Sequence, residues 1–205
     1  MKTFFVDKRL GGCLIYLLIA SYFIGSISSA VIICRILGLP DPRTQGSKNP
    51  GATNVLRLGG KNSAAFVLFL DVFKGALPVY IVSYFGFGLT ALTFTILFAV
   101  LGHIFPVFFR FKGGKGVATY LGGLIMTDFF VALIFGFVWL LVAKVFKVSS
   151  LAALIATALS PFYFYLVTGD GLSTLIIGLI SLLIFYTHRD NIKRLVNKEE
   201  DVIQS

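Results

Sequence analysis

Six apolar runs divide the chain, at 14–37, 63–85, 89–109, 117–143, 151–167 and 172–187. A helix that crosses the roughly 30 Å hydrocarbon core of a bilayer needs about 20 predominantly apolar residues. The polar stretches between the runs are too short to fold alone, so the pattern predicts one membrane-embedded, all-α domain over residues 1–205. The run 117–143 is long for one crossing, and "MTD" at 126–128 interrupts it. The loop before it carries Arg110, Lys112 and Lys115, and the loop after it carries Lys144 and Lys147. Cytoplasmic loops collect Lys and Arg, so both loops belong on the same side and an even number of crossings must separate them. That predicts two short helices turning at Asp128. The expected architecture is an integral membrane protein of seven transmembrane helices, two of them short, with the N-terminus outside and the C-terminus cytoplasmic.

With this topology Arg35, Arg43, Lys48, Arg57, Lys61, Arg110, Lys112, Lys115, Lys144, Lys147, Arg189, Lys193, Arg194 and Lys198 fall inside. Only Lys2, Lys8 and Arg9 fall outside, and Lys74 lies within a span. The composition agrees: 57% of residues are hydrophobic, 13% are charged, and the mean hydropathy is +0.92, whereas soluble domains are roughly a quarter charged. The net charge of +9 is therefore membrane asymmetry, and no nucleic-acid partner is expected. The first run is longer than a signal-peptide core and "SISSA" is a poor cleavage site, so a retained first helix is expected. Cys13 and Cys34 sit at the two ends of that run, roughly 30 Å apart along a helix. They read as small apolar side chains.

Every chemically unusual stretch falls on the cytoplasmic side. In "FKGGKGVAT", 111–119, glycines 113, 114 and 116 surround Lys115 and form a candidate nest of backbone N–H groups for an anion. It is not a Walker A loop, because Phe109 and Gly116 stand where that motif needs Gly and Ser/Thr. "GSKNPGATNVLRLGGK", 46–61, holds a Pro50-Gly51 turn signal, the short polar side chains of Ser47, Asn49, Thr53 and Asn54, and the cations Lys48, Arg57 and Lys61. It reads as a binding loop and not as a helix. "DVFKG" places Asp71 and Lys74 on one helix face as a bracing pair. In "GHIFPVF", Pro106 should bend its helix and free a carbonyl. His103 has no metal-ligand companion there and reads as a hydrogen-bonded packing residue. "THRDNIKRL" puts His188, Asn191 and Arg194 on one face beside Arg189, and "KVSSL" offers Ser149 and Ser150 as helix caps.

Lys115, Arg57, Arg189, Arg194, two Gly-rich loops and one histidine form an inventory for phosphorylated small molecules at a bilayer surface. With no G-x-S-x-G elbow, paired carboxylates or metal cluster, it favours transfer by positioning and charge stabilisation. "GSKNPGATNVLR", "DVFKG", "GHIFPVFFRFKGGKGVAT" and "HRDNIKRL", in this order over nearly the whole chain, resemble the bacterial acyl-phosphate-dependent glycerol-3-phosphate acyltransferases, the PlsY family. Two positions depart from the family pattern: Lys48 and Lys198 stand where it has glycine.

The resemblance implies transfer of an acyl group from acyl phosphate to sn-glycerol 3-phosphate, giving 1-acyl-sn-glycerol 3-phosphate and inorganic phosphate. It implies no cofactor and no metal, a multi-pass protein of a bacterial inner membrane with its active site facing the cytoplasm, and a monomer. Ser47, Lys115 and Ser150 would hold phosphate or the developing oxyanion. Asn54, Arg57, His188 and Asn191 would grip glycerol 3-phosphate, helped by Asn49, Gly51, Lys112, Gly113, Gly114, Gly116, Arg189 and Arg194. The proton acceptor stays open between His188 and a substrate phosphate. No H-x-x-x-x-D motif is present, since Phe108 and Lys193 stand five residues after the two histidines. That argues against the thioester-using acyltransferases. The rival reading is a transporter of organic phosphates, kept alive by Asp71 and Lys74 within the membrane.

Overall fold

The computed structural model describes residues 8–203, and every regular element among them is helical: α1 (Lys8–Gly25), α2 (Ser29–Ile36), α3 (Ala52–Tyr84), α4 (Leu89–Ile104), a 3₁₀ turn (Val107–Phe109), α5 (Val117–Thr127), α6 (Phe129–Phe146), α7 (Ser149–Thr168), α8 (Gly171–Thr187) and α9 (Arg189–Val196). Among the described residues five segments are long and apolar enough to cross a membrane: Gly12–Ile36, Ala52–Tyr84, Leu89–Phe109, Phe129–Phe146 and Ser149–Thr168. The count is six if α8 and α9, bent by 62° to one another, form one span. Of the cations assigned to the outside, Lys2 lies outside the described residues.

The run 117–143 does break at Asp128, whose carboxylate caps α6 by accepting the Val131 N–H at 3.0 Å. The two halves are unequal, however. The 11 residues of α5 reach about 16 Å at 1.5 Å per residue, half a hydrocarbon core, while the 18 residues of α6 come close to a full crossing.

Two other expectations change. The first run is not one helix: α1 and α2 are separated by Ser26–Ser28, and the break leaves the Ile27 carbonyl free to accept from Lys74 Nζ at 2.8 Å. The stretch 46–61 is not all loop either. From Ala52 onward it is helix, joined to the span across Gly60, whose φ of 77° kinks the element. The Pro50-Gly51 turn signal and the polar residues around it hide this helical start, although Val55 is fully buried in a cluster with Ala30, Ile33, Cys34 and Val67.

Lipid chains are as apolar as leucine, so helices in a membrane associate through close packing at small residues and not by a hydrophobic driving force. Two crossings here use glycine pairs. A methyl at Gly75 (α3) would collide with the Thr119 carbonyl (α5), and one at Gly122 (α5) would collide with the Val72 carbonyl (α3). Gly25 and Gly102 make the same reciprocal contact between α1 and α4, against the carbonyls of Ala99 and Tyr22. Around these crossings Ile96, Tyr120, Leu124, Phe135, Phe164, Ile177 and Ile180 form the buried core. Tyr120 meets Phe135 edge-on and donates to Ser160 Oγ at 2.9 Å.

Asp71 and Lys74 pair as predicted, at 2.8 Å and almost fully buried. They do more than pair. Ser29 Oγ donates to Asp71 Oδ1 at 2.8 Å, and Lys74 holds the Ile27 carbonyl, so α3 staples the broken first segment.

Gly75→Leu and Gly122→Leu should each cost about 3 kcal/mol by forcing α3 and α5 apart. Gly136→Ala meets no neighbour within 4 Å and should be neutral or slightly stabilising. Thermal unfolding in detergent checks all three.

Candidate functional site

The ends of α2, α4, α6 and α8 and the starts of α3, α5 and α7 share one end of the bundle, together with α9 and the loops between them. Pro106 lies beyond α4, which stops at Ile104, so the residue ends the helix where a bend was expected. Proline has no N–H for the Gly102 carbonyl four residues back, and the helix end orphans the next carbonyl, that of His103, which accepts from Gly114 N at 3.1 Å. Gly113 packs so tightly on the His103 and Ile104 carbonyls, and Gly114 on the His103 ring, that a methyl on either would collide. These two glycines therefore serve close approach, and the Gly114 N–H is already committed. Gly116, with φ 91°, turns the chain into α5. Lys112 points into solvent.

Lys115, between the glycines, donates from Nζ to Asn191 Oδ1. Its carbonyl accepts from Thr187 Oγ1 at 3.2 Å. Burial pushes the Lys115 ammonium down to about 8; the nearby Arg194 and Arg57 charges work the same way, and Glu200 and Asp190 oppose them.

His188 sits just beyond α8 at the corner with α9 and is buried. Its Nδ1 lies 2.8 Å from the Ile184 carbonyl. A carbonyl can only accept, so Nδ1 carries the proton and Nε2 keeps the lone pair in the neutral ring. Burial, followed by the Lys115 charge, pushes the imidazole down to about 4.

Glu200 is the side chain that sequence reasoning missed. Its carboxylate accepts from Ser150 Oγ at 2.8 Å, Asn191 Nδ2 at 2.5 Å and Arg194 Nε at 2.6 Å. Burial works against the charged carboxylate, but these donors outweigh it and hold the group below the usual carboxylate range. The one clue in the sequence is an acidic triplet, Glu199–Asp201, following a run rich in cations. Ser149 and Ser150 do not cap α7 as expected. Val148 holds the cap position without a side-chain bond, which frees Ser150 for Glu200.

The stretch 41–57 adds a second wall. Asn54 is fully buried and binds three loop groups, donating to the Pro42 and Gln45 carbonyls and accepting the Ser47 N–H at 3.0 Å. Its amide holds the loop in shape and has no atom exposed to a ligand. Ser47 and Arg57 remain exposed, and Arg57 pairs with Asp201 at 3.1 Å. Gly51 caps α3, and Asn49 beside it is half-buried. Arg189 is not brought into the cluster: it is exposed and lies over the Tyr186 ring, 4.8 Å from its centroid.

Lys48 and Lys198 have φ of 56° and 59°. Left-handed backbone costs a side-chain-bearing residue roughly 1–2 kcal/mol, a cost that glycine would not carry at either place.

The site thus gathers Lys115, Asn191, Ser150 and Arg194 around one anionic point, with His188 beside it. Residues 15–198 match the family model described as glycerol-3-phosphate acyltransferase. The glycerol-3-phosphate acyltransferase of Ruthia magnifica is 57% identical over 92% of this chain and 96% of its own length. That of Shewanella woodyi is 50% identical, over 90% of each chain. The fold superposes with TM-score 0.90 on the crystal structure of PlsY (YgiH), an integral membrane glycerol 3-phosphate acyltransferase in its glycerol 3-phosphate form. That pair shares 40% identity and covers 94% of this chain and 96% of the other. The lysophosphatidic acid form gives TM-score 0.87.

Lys48→Gly and Lys198→Gly should each raise stability by about 1 kcal/mol through relief of backbone strain. Glu200→Ala leaves three donors without an acceptor and should cost about 2 kcal/mol. Because the Glu200 pKa is depressed by folding, its contribution is present above the ordinary carboxylate range and lost as pH falls through the lower folded value. Unfolding of the purified variants across pH 3–8 measures both.

Proposed function

This chain belongs to the glycerol-3-phosphate acyltransferase family, and from that premise we propose that it moves an acyl group from an acyl phosphate onto glycerol 3-phosphate at the cytoplasmic face of a bacterial inner membrane. The products are 1-acyl-glycerol 3-phosphate, the first intermediate of phospholipid synthesis, and inorganic phosphate. The observation that carries the reading is the convergence of Lys115, Asn191, Ser150 and Arg194 at one end of the bundle, next to a neutral histidine and a long apolar surface. Family membership removes the transporter reading. The loop cations argue for seven crossings with α5 as a half-length member, the N-terminus outside and the C-terminus in the cytoplasm.

The chemistry suits a site built from donors. The glycerol hydroxyl oxygen attacks the acyl carbon, the bond from that carbon to the bridging phosphate oxygen breaks, and phosphate leaves with the electron pair. An acyl phosphate is a mixed anhydride with a good leaving group, so no acyl-enzyme is needed. Lys115, Ser47 and Ser150 are assigned to the acyl phosphate and the oxyanion that develops on it; one such donor is worth about 10²–10³ in rate. Arg57, Asn191 and His188 are assigned to glycerol 3-phosphate, with Arg194 orienting Asn191 through Glu200. Asn49, Gly51, Gly113, Gly114 and Gly116 shape the two walls, and Asn54 acts through the loop it holds. Lys112 and Arg189 are left to the approach of anions to the surface.

The proton acceptor is best assigned to a substrate phosphate. An imidazole held near 4 is a weaker base than a phosphate monoester, whose second pKa is about 6. His188 Nε2 then positions the hydroxyl. A groove of about 400 Å³ between α4 and α8, lined by Leu97, Leu101, Leu179, Leu182 and Leu183, is assigned to the acyl chain entering from lipid. The protein acts as a monomer on this reading and uses no cofactor.

Purified protein given palmitoyl phosphate and glycerol 3-phosphate should release phosphate, should stay silent with palmitoyl-CoA, and should lose activity with Lys115→Ala. No release from folded wild type overturns the assignment. The Lys115 charge is present below about 8 and lost above it. The kcat/KM should therefore fall about tenfold per pH unit above that value, because that parameter reports the free enzyme. Lys115→Arg, which stays charged, should flatten the profile there.

A further inference from the structure

Three glycines in four residues make 113–116 the segment that loses most conformational freedom on folding, yet it carries Lys115, whose ammonium must be held to within about half an ångström for use. His103 grips this loop on both sides of the lysine. Before it, the His103 carbonyl takes the Gly114 N–H at 3.1 Å and the ring rests against Gly114. After it, His103 Nδ1 lies 3.1 Å from Thr119 Oγ1, in the first turn of α5. Asp71 Oδ1 lies 3.7 Å from the same Nδ1 and is itself fixed by Lys74 at 2.8 Å and Ser29 at 2.8 Å. His103, Asp71, Lys74 and Thr119 are all buried.

Stability alone does not account for this cluster. A buried ion pair replaced by well-packed apolar side chains is often as stable or more so, and charged groups within a bilayer cost about 2.5–3.5 kcal/mol each on insertion scales. The polar groups do not face lipid, and they lead by contact to the residue before Lys115 and the residue four after it.

We propose that His103 and Thr119, backed by the Asp71–Lys74 pair, are positioning residues that fix Lys115 against its substrate phosphate. The inference rests on the acyl-transfer reading, because it takes Lys115 as a ligand of that phosphate. It adds that the membrane-embedded polar cluster belongs to the active site at one remove, acting through the backbone of the Gly-rich loop.

The test uses full-length protein in detergent. Thr119→Val keeps the volume and removes the hydroxyl; Thr119→Ser restores the hydroxyl; His103→Leu removes both ring nitrogens. For each, kcat/KM for glycerol 3-phosphate, the melting temperature, and the rate of reductive methylation of Lys115 by formaldehyde and borohydride, read by peptide mass, are measured. Thr119→Val and His103→Leu should lose about 100-fold in kcat/KM, the usual consequence of a 1 Å misplacement. Their melting temperatures should stay within a few degrees of wild type, and Lys115 should be methylated several-fold faster. Thr119→Ser should stay within about threefold of wild type on every measure. Thr119→Val with wild-type kcat/KM, Thr119→Ser as impaired as Thr119→Val, or a loss that follows the melting temperature with Lys115 methylation unchanged would overturn the proposal. A silent wild type would instead overturn the acyl-transfer reading, and the two failures are therefore distinct.

Discussion

Inside a bilayer a backbone carbonyl or N–H released from a helix must find its partner within the protein. Of the places where this chain releases such groups, two bear on the candidate site, and the chain answers both itself. The α1–α2 break gives up the Ile27 carbonyl, and Lys74 takes it. The stop at Pro106 gives up the His103 carbonyl, and Gly114 takes it. Each answer brings a second element into register: the first staples α3 to α1 and α2, and the second lays the Gly-rich loop on the end of α4. The end of the bundle that holds the candidate site is built on these two repairs, which explains why charged and glycine residues stand where the surrounding sequence is greasy.

Close crossing is the other half of the arrangement. The reciprocal glycine contacts between α3 and α5, and between α1 and α4, bring backbones to distances that no side chain permits. Thr119 contributes to both halves, since its carbonyl receives Gly75 and its hydroxyl meets His103. The starting point of α5 is thereby fixed in two directions, and with it the loop that carries Lys115. Glu200 closes the opposite side, holding α7 and α9 together through Ser150, Asn191 and Arg194. This acid keeps several donors pointed at one place.

The helical class, the break at Asp128 and the Asp71–Lys74 pair were legible from apolar run lengths, from the side on which cations fall, and from i,i+3 spacing. These are local properties or sums along the chain. The helix from Ala52 to Gly59, the break at Ser26–Ser28 and the helix stop before Pro106 were not. In each case hydropathy reports where lipid is, and the backbone conformation was decided by which partner could satisfy it.

Residue types in the site were legible as an inventory, while their division of labour was not. Asn54 looked like a ligand and is a loop staple; Arg189 looked like a member and lies over Tyr186; Ser150 looked like a cap and serves Glu200. Lys48 and Lys198 stood out as departures from a family pattern, and only the structure shows that both have positive φ, where glycine is the unstrained residue. By itself the sequence determined that this protein is a helical membrane protein whose cations gather in the loops between its apolar runs, because bilayer thickness and charge asymmetry act on the chain segment by segment. Which donors meet, which glycines touch carbonyls, and what holds Lys115 in place were decided only by the tertiary structure, because hydrogen bonds and steric contacts depend on distances between segments that are far apart in the chain.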